Sequence, residues 1–196
     1  MPGDPAVPRP GTGFPAVAEI ARRRALGWLA FGEIFVKPTP AWVDEMRSGG
    51  FRERLEVAVG WRTGEVADFA PAMLTLGAFD RGARRRSSGQ DLLSLGAAFA
   101  DLADAAVLER AEGACALLSL LTADESAAWS SGDLRGAREL RVHEDQELRG
   151  EAGDVLQQAC AAILGRAPRP PYVALVQLCQ LWVGKERTGS SIADTS

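Results

Sequence analysis

The histidine and cysteine residues would be the first candidates for catalysis or metal binding, and the chain has few of them. His143 is the single histidine, and no second histidine follows it one helical turn later, as a helical metal site requires. The three cysteines lie far apart and form no Cys-x-x-Cys pair, so neither a zinc site nor a disulfide framework is predicted. We interpret Cys115, Cys160 and Cys179 as buried, reduced thiols, and we expect no metal and no cofactor.

Other sequence motifs that support catalysis are also missing from the chain. Gly184-Lys185 comes nearest to a phosphate-binding loop, but Cys179 stands where its first glycine belongs and Glu186 where the hydroxyl residue belongs. Carboxylates are abundant near His143, and the sequence predicts that they lie on the solvated face of a helix. The chain is therefore predicted not to be an enzyme. A helical enzyme that uses a cysteine with His143 is the third of three hypotheses.

The composition of the chain limits the classes of protein to which it can belong. The chain has 196 residues, of which 46% are hydrophobic with alanine and leucine prominent, so one helical domain is expected. A net charge of -4 gives no basic footprint for nucleic acid. No apolar run reaches the roughly 18 residues of a membrane span, and we expect no stable membrane association.

The arginine triplet at positions 22 to 24 precedes a short apolar run, as in a twin-arginine export leader. Glu33 interrupts that run after about eight residues, so we expect a cytoplasmic protein rather than an exported one. The arginines of this triplet, like those at 84 to 86, are predicted to form a solvated positive patch. Residues 1–15 and 188–196 are predicted to be disordered, and 16–187 to form the folded domain.

Apolar residues recur at helical spacing through residues 16–187, which predicts an all-α, single-domain bundle of roughly eight helices. The segment from Glu109 to about Ala123 is apolar around its whole circumference, which predicts a central, largely buried helix. Ser88 with Asp91 is predicted to cap the start of the helix that carries Leu92, Leu95, Phe99 and Leu102, and residues 80–89 are predicted to be a surface loop. The other predicted helices cover about 17–36, 40–48, 51–59, 65–76, 134–148, 155–164 and 171–183.

Residues 90 to 186 resemble the C-terminal part of the TorD/DmsD-like family of molybdoenzyme maturation chaperones. Glu109-Arg110-Ala111-Glu112-Gly113 is similar to the Glu-Arg-Pro-Asp-His motif of that family, and Asp124 to Trp129 leads to a Gly132-Asp133 turn as the family has it. Leu29 to Phe35 is similar to its first helix, and Pro170 to Glu186 to its last. Gly113 replaces the histidine of the motif, and a later His-Leu-x-x-Trp pattern is absent.

This resemblance implies a chaperone that binds the apo catalytic subunit of a molybdenum oxidoreductase, or its twin-arginine leader peptide, during cofactor insertion. Glu109, Glu112 and Asp124 would form an acidic mouth for the arginines, with Arg110 from the same motif and Trp129 as an exposed aromatic wall. The alternative for the acidic residues is that they favour a helix start through the macrodipole. The alternative function is a helical scaffold or adaptor for an unrelated partner, and the protein would be a monomer or a dimer.

Overall fold

The computed structural model describes residues 13–59, 66–83 and 85–189, and these ranges form a single helical domain without strands. This confirms the predicted all-α fold. No helix in the described ranges is both long and apolar enough to cross a membrane. The helices are α1 (Pro15–Gly32), α2 (Pro40–Ser48), α3 (Gly50–Val59), α4 (Val66–Ala83), α5 (Ser88–Ala100), α6 (Ala105–Ser131), α7 (Leu134–Arg149), α8 (Glu151–Gly165) and α9 (Tyr172–Gly189), with a 3-10 turn at Glu33–Phe35 after α1.

The helix ends follow from local chemistry. The Thr39 hydroxyl accepts a hydrogen bond from the Trp42 amide at 3.2 Å, and Pro40 is the first residue of α2. Between α6 and α7, Gly132 takes a left-handed φ of 79°, a conformation that favours glycine. The predicted break before α7 is thus confirmed.

The predicted cap of α5 is wrong by one residue. Ser87, not Ser88, forms the capping box, with Gln90 as its partner. Asp91 is 1% exposed and accepts hydrogen bonds from Arg47 and Arg86 instead. A buried carboxylate needs such partners. Because Asp91 is held by the two arginines, it does not take part in the capping box, which forms one residue earlier at Ser87.

The predicted boundaries also shift at the loop and the chain ends. α4 continues to Ala83, so the predicted loop at 80–89 is shorter, because Asp80 is buried and accepts a hydrogen bond from Arg52 Nε at 3.0 Å. α1 begins at Pro15, inside the predicted arm, and α9 extends to Gly189, inside the predicted tail. Residues 1–12 and 190–196 lie outside the described residues, as does Arg84 of the second predicted arginine patch.

α1 and α6 pack side by side in opposite directions. The Ser119 hydroxyl donates to the carbonyl of Ala25 at 3.1 Å, and the Ser126 hydroxyl donates to that of Ala18 at 2.8 Å. A Cβ atom added at Gly32 would lie 3.3 Å from Cys115 Cβ. Small residues therefore bring the two helices close together.

The three cysteines meet in the core between α6, α8 and α9. All three are buried and free of disulfides, so the prediction of buried thiols is confirmed. A hydrogen bond with Cys179, together with burial, raises the pKa of the Cys160 thiol. The pKa of Cys179 is also raised, chiefly by its hydrogen bond with Cys115. Cys160 and Cys179 are therefore held as neutral thiols.

A buried cluster of charges joins four helices of the bundle. Arg24 of α1 is 4% exposed, and its guanidinium donates to Glu125 Oε2 of α6 at 2.8 Å and to Glu144 of α7. Its Nε lies 4.0 Å from Glu186 Oε2 of α9. Burial lowers the pKa of Arg24, but the carboxylates of Glu144, Glu125 and Glu186 raise it by more, so the guanidinium stays charged.

Glu144 is completely buried and accepts further hydrogen bonds within this cluster. Trp28 Nε1 donates to its Oε1 at 3.3 Å, and Arg141 Nη1 donates to its Oε2 at 2.9 Å. The Thr122 hydroxyl lies 3.1 Å from its Oε1. The prediction that the acidic residues of this helix are all solvated is therefore wrong for Glu144, whereas His143 is exposed as predicted.

The arginine triplet is divided between the core and the surface. Arg22 and Arg23 lie at the surface and donate to Glu19, whose pKa these hydrogen bonds lower to about 2. Arg24 is the one that lies in the core. The predicted solvated patch is thus wrong at this position, because a helix turns by about 100° per residue and consecutive side chains point in different directions.

Replacing the buried arginine tests how far the cluster holds the fold. We expect Arg24→Met to lower the free energy of unfolding by roughly 3–5 kcal/mol, because it leaves Glu125 and Glu144 buried without their partner. Arg22→Met is the matched control and should cost less than about 1 kcal/mol, as is typical of an exposed pair. Urea unfolding followed by circular dichroism measures both variants. Equal losses would contradict a special role of Arg24.

Candidate binding face on helix α6

α6 is the longest of the described helices, with 27 residues, and one of its sides is apolar and uncovered. No charged residue occurs between Glu112 and Asp124. Leu120 is 65% exposed and Leu117 is 38% exposed. With them, three small residues complete the exposed side of this stretch. We call these five residues the α6 face: Gly113, Ala116, Leu117, Leu120 and Ala123.

The prediction of a central, largely buried helix is therefore only half correct. Cys115, Leu118 and Leu121 lie in the core as expected, whereas Leu117 and Leu120 do not. Periodicity shows which residues could be buried, but it does not show how many neighbouring helices cover them. Here α1 packs on one side and α7 and α8 on the other, and the outer side of α6 stays open.

Two shallow grooves run beside the α6 face. The first lies between α1 and α6, has a volume of about 120 Å³ and contains Leu29 and Val36, which are 49% and 42% exposed. The second lies between α6 and the α7–α8 corner and has a volume of about 190 Å³. The first groove is lined by Trp28, Leu29, Gly32, Glu33, Val36, Glu112 and Ala116. The second is lined by Arg110, Gly113, Ala114, Leu117, Glu147, Glu151, Ala152 and Val155.

The acidic residues predicted for the site lie at both ends of the α6 face. Glu109, Glu112 and Asp124 are exposed, and no side chain in the described ranges pairs with them. Glu109 and Glu112 are neighbours on the helix, but Asp124 follows Glu112 by three turns, roughly 18 Å along the axis. The structure thus brings two of the three together, and the third lies at the opposite end of the apolar stretch.

The helix macrodipole does not explain these carboxylates. α6 begins at Ala105, and no acidic residue lies in its first turn. Glu109 and Glu112 follow after that turn, where the dipole has little effect. Asp124 lies near the C-terminal end, where a negative charge gains nothing from it. The alternative interpretation as helix-start charges is therefore wrong.

Arg110 and Trp129 have different surroundings. Arg110 is exposed and lines the second groove with Glu147 and Glu151. Trp129 is half-buried: its Nε1 donates to Glu125 Oε1 at 3.0 Å, and its ring packs edge-on against Phe14 with centroids 5.7 Å apart. Trp129 therefore belongs to the edge of the buried charge cluster rather than to a groove wall.

The groove residues of α1 and the turn after it were missing from the predicted site. Leu29, Glu33 and Val36 belong to a stretch that looked like the inside of one long helix. The helix ends at Gly32, and the 3-10 turn that follows directs Glu33 and Val36 into the first groove. In the sequence, Pro38 indicated that the helix ends early, because a proline disfavours helical backbone in the residue before it.

The arrangement suits binding of an apolar chain segment with a cationic end. Exposed leucines supply the apolar contact, and carboxylates without a partner among the described residues lie beside it.

The described ranges contain no group of three or more His, Cys, Asp or Glu side chains that could hold a metal ion. The single histidine, His143, has its Nε2 3.6 Å from Glu147 Oε1.

A pair of leucine substitutions tests which side of α6 is open. Leu120→Lys should change the free energy of unfolding by less than about 0.5 kcal/mol, since the side chain is exposed and lysine is a good helix former. Leu118→Ala should cost roughly 2–5 kcal/mol, since Leu118 is fully buried. Chemical unfolding measures both. A large loss in Leu120→Lys would mean that the α6 face is covered.

In comparisons with known proteins, the chain matches no family model, no curated sequence and no solved structure. The resemblance to the TorD/DmsD-like chaperones therefore stays a prediction, carried by the short motifs of the sequence.

Proposed function

We propose that this protein is a cytoplasmic chaperone, without catalytic activity, for the catalytic subunit of a molybdenum-cofactor oxidoreductase. It binds the apo subunit, through its twin-arginine leader, until the cofactor has been inserted. The observation that carries the proposal is the exposed α6 face, with carboxylates at its ends that pair with no side chain of the described residues. Leaving large leucines in water has no benefit for folding, and such patches are typical of interaction sites.

The dimensions of the α6 face agree with those of a leader peptide. The apolar part of an export leader has about 7–15 residues, and ten of them in a helix span about 15 Å. The uncharged stretch from Gly113 to Ala123 has the same length. An apolar helix beside α6 would cover Leu117 and Leu120 along its whole extent.

The charges favour one orientation of such a peptide. Glu109 and Glu112 form a pair of exposed carboxylates at one end of the α6 face. Glu33 lies in the adjoining groove with Glu112, but Arg54 already neutralises its charge. Two arginines would be attracted to that end more strongly than to the single carboxylate of Asp124. In the proposed complex the arginine pair therefore binds at Glu109 and Glu112, with the apolar residues following toward Asp124.

The α6 face would also serve a scaffold or adaptor that binds an amphipathic helix of an unrelated protein. The two functions differ in the partner, since only the chaperone requires an arginine pair ahead of the apolar segment.

Co-expression with a molybdenum oxidoreductase subunit tests the proposal. The wild-type protein should elute with the apo subunit in size-exclusion chromatography. The double variant Leu117→Lys/Leu120→Lys should lose at least about tenfold in affinity, because two charges would face the apolar segment. Leu93→Lys is the matched control, since Leu93 is 77% exposed on α5, and it should bind normally.

Each other outcome has a definite meaning. Binding that survives the double variant would exclude the α6 face as the site. If the protein binds no molybdenum oxidoreductase subunit but elutes together with an unrelated helical protein, it is an adaptor. Removing the leader from the subunit should abolish the complex; if it does not, the mature subunit is what binds.

The acidic end is tested with a labelled synthetic peptide of two arginines followed by about ten leucine and alanine residues. Glu109→Lys/Glu112→Lys should weaken its binding by at least about tenfold, because attraction becomes repulsion. Asp124→Lys is the control at the other end and should have a smaller effect. Fluorescence anisotropy at low and moderate salt measures both. A greater loss in Asp124→Lys would show that the peptide lies in the opposite direction.

A further inference from the structure

A third cavity continues the first groove beyond Val36. It has a volume of about 320 Å³ and shares Glu33 and Val36 with the groove between α1 and α6. The two cavities therefore adjoin at Glu33 and Val36, next to the end of the α6 face where Glu112 lies. We call the third cavity the Trp42 pocket. It is lined by Glu33, Val36, Lys37, Thr39, Ala41, Trp42 and Glu45.

Trp42, one of the lining residues, has a buried hydrogen-bond donor that finds no partner among the described residues. Its side chain is 8% exposed, and its Nε1 bonds to no atom of the described residues. The indole is fixed by an edge-on contact with Phe51 at 5.6 Å and by stacking on Tyr172 at 6.2 Å. A buried donor without an acceptor is unfavourable and needs an explanation. An occupant that supplies a carbonyl oxygen would provide one.

The carboxylates of the pocket are already paired, so the pocket does not select a cation. Arg54 donates to Glu33 Oε2 at 2.6 Å, and its Nε lies 2.6 Å from Glu45 Oε1. Lys37 adds a second positive charge to the lining. Two acids and two bases balance one another here, in contrast with the unpaired Glu109 and Glu112. The lining therefore fits neutral, polar groups.

We infer that the Trp42 pocket binds the short polar segment that precedes the arginine pair of the client peptide, with a backbone carbonyl accepting a hydrogen bond from Trp42 Nε1. This inference rests on the proposed function and extends it. The arginines lie at Glu109 and Glu112, and the segment before them would pass over Val36, which lines both cavities, into the pocket. An extended segment presents carbonyl groups whatever its side chains are, so the pocket would accept many sequences.

Three labelled peptides test the inference on the full chain. The core peptide has two arginines followed by about ten leucine and alanine residues. A second peptide adds about four residues of serine, threonine and asparagine before the arginines, and a third adds the same residues after the apolar stretch. The second should bind roughly tenfold more tightly than the core peptide, as expected when a buried donor gains a partner. The third should match the core peptide.

Two variants test whether the gain in affinity of the second peptide arises in the Trp42 pocket. Trp42→Phe keeps an aromatic ring but removes the donor, and Ala41→Arg fills the pocket from an exposed position of α2. Both should bind the core peptide normally and lose the roughly tenfold gain of the second peptide. Trp182→Phe is the matched control, since Trp182 Nε1 is also buried without a partner but lies outside the pocket. It should retain the gain.

The outcomes distinguish a failure of this inference from a failure of the proposed function. If the core peptide binds but the added residues give no gain, or give it after the apolar stretch, the inference is wrong and the proposed function stands. A gain that survives both Trp42→Phe and Ala41→Arg also overturns the inference. If no peptide binds, both fail. Anisotropy titrations distinguish these cases, and circular dichroism shows that each variant is folded.

Discussion

The fold depends on the burial of one guanidinium among carboxylates. Arg24 reaches from α1 to Glu125 and Glu144 on two other helices, and Glu186 of a fourth lies beside it. Charges in an apolar interior are tolerated only with close partners. Any relative rotation of these helices would separate the charges, so the cluster specifies the arrangement of the bundle as well as holding it together.

The same constraint determines which side of α6 faces outward. Leu118, Leu121 and Glu125 follow one another at steps of three and four residues, so they share one side of the helix. Because Glu125 must meet Arg24, that side lies inward. Leu117 and Leu120 are then turned away from the core. The exposure of the α6 face is therefore fixed by a polar interaction inside the molecule.

α7 is an outer helix with a surface unlike that of α6. Its exposed positions are largely charged or polar, for example Arg135, Arg138 and Glu139. α6 has the opposite character over three turns, although it lies next to α7 at the surface. Burial in the bundle does not account for this difference between adjacent surface helices, which is why we propose a partner for α6.

Much of this fold could be predicted from the sequence, because apolar spacing and turn residues act locally. The helix order and the break before α7 followed from such signals. The buried role of Arg24 could not be predicted, because nothing in the triplet distinguishes it from Arg22 or Arg23 until distant carboxylates are placed beside it. For the same reason, the sequence located Glu109 and Glu112 but grouped Asp124 with them, since residue type carries no information on distance along the surface.

The polarity of the proposed complex follows from joining these features. The unpaired carboxylates of Glu109 and Glu112, the shared lining at Glu33 and Val36, and the Trp42 pocket occur in that order away from the α6 face. A peptide with polar residues, then arginines, then an apolar stretch has the same order of chemistry. In the reversed direction the apolar stretch would still lie on the α6 face, but the arginines would meet the single carboxylate of Asp124 and no polar segment would reach the Trp42 pocket. One direction therefore satisfies all three segments, and the other satisfies only the apolar one.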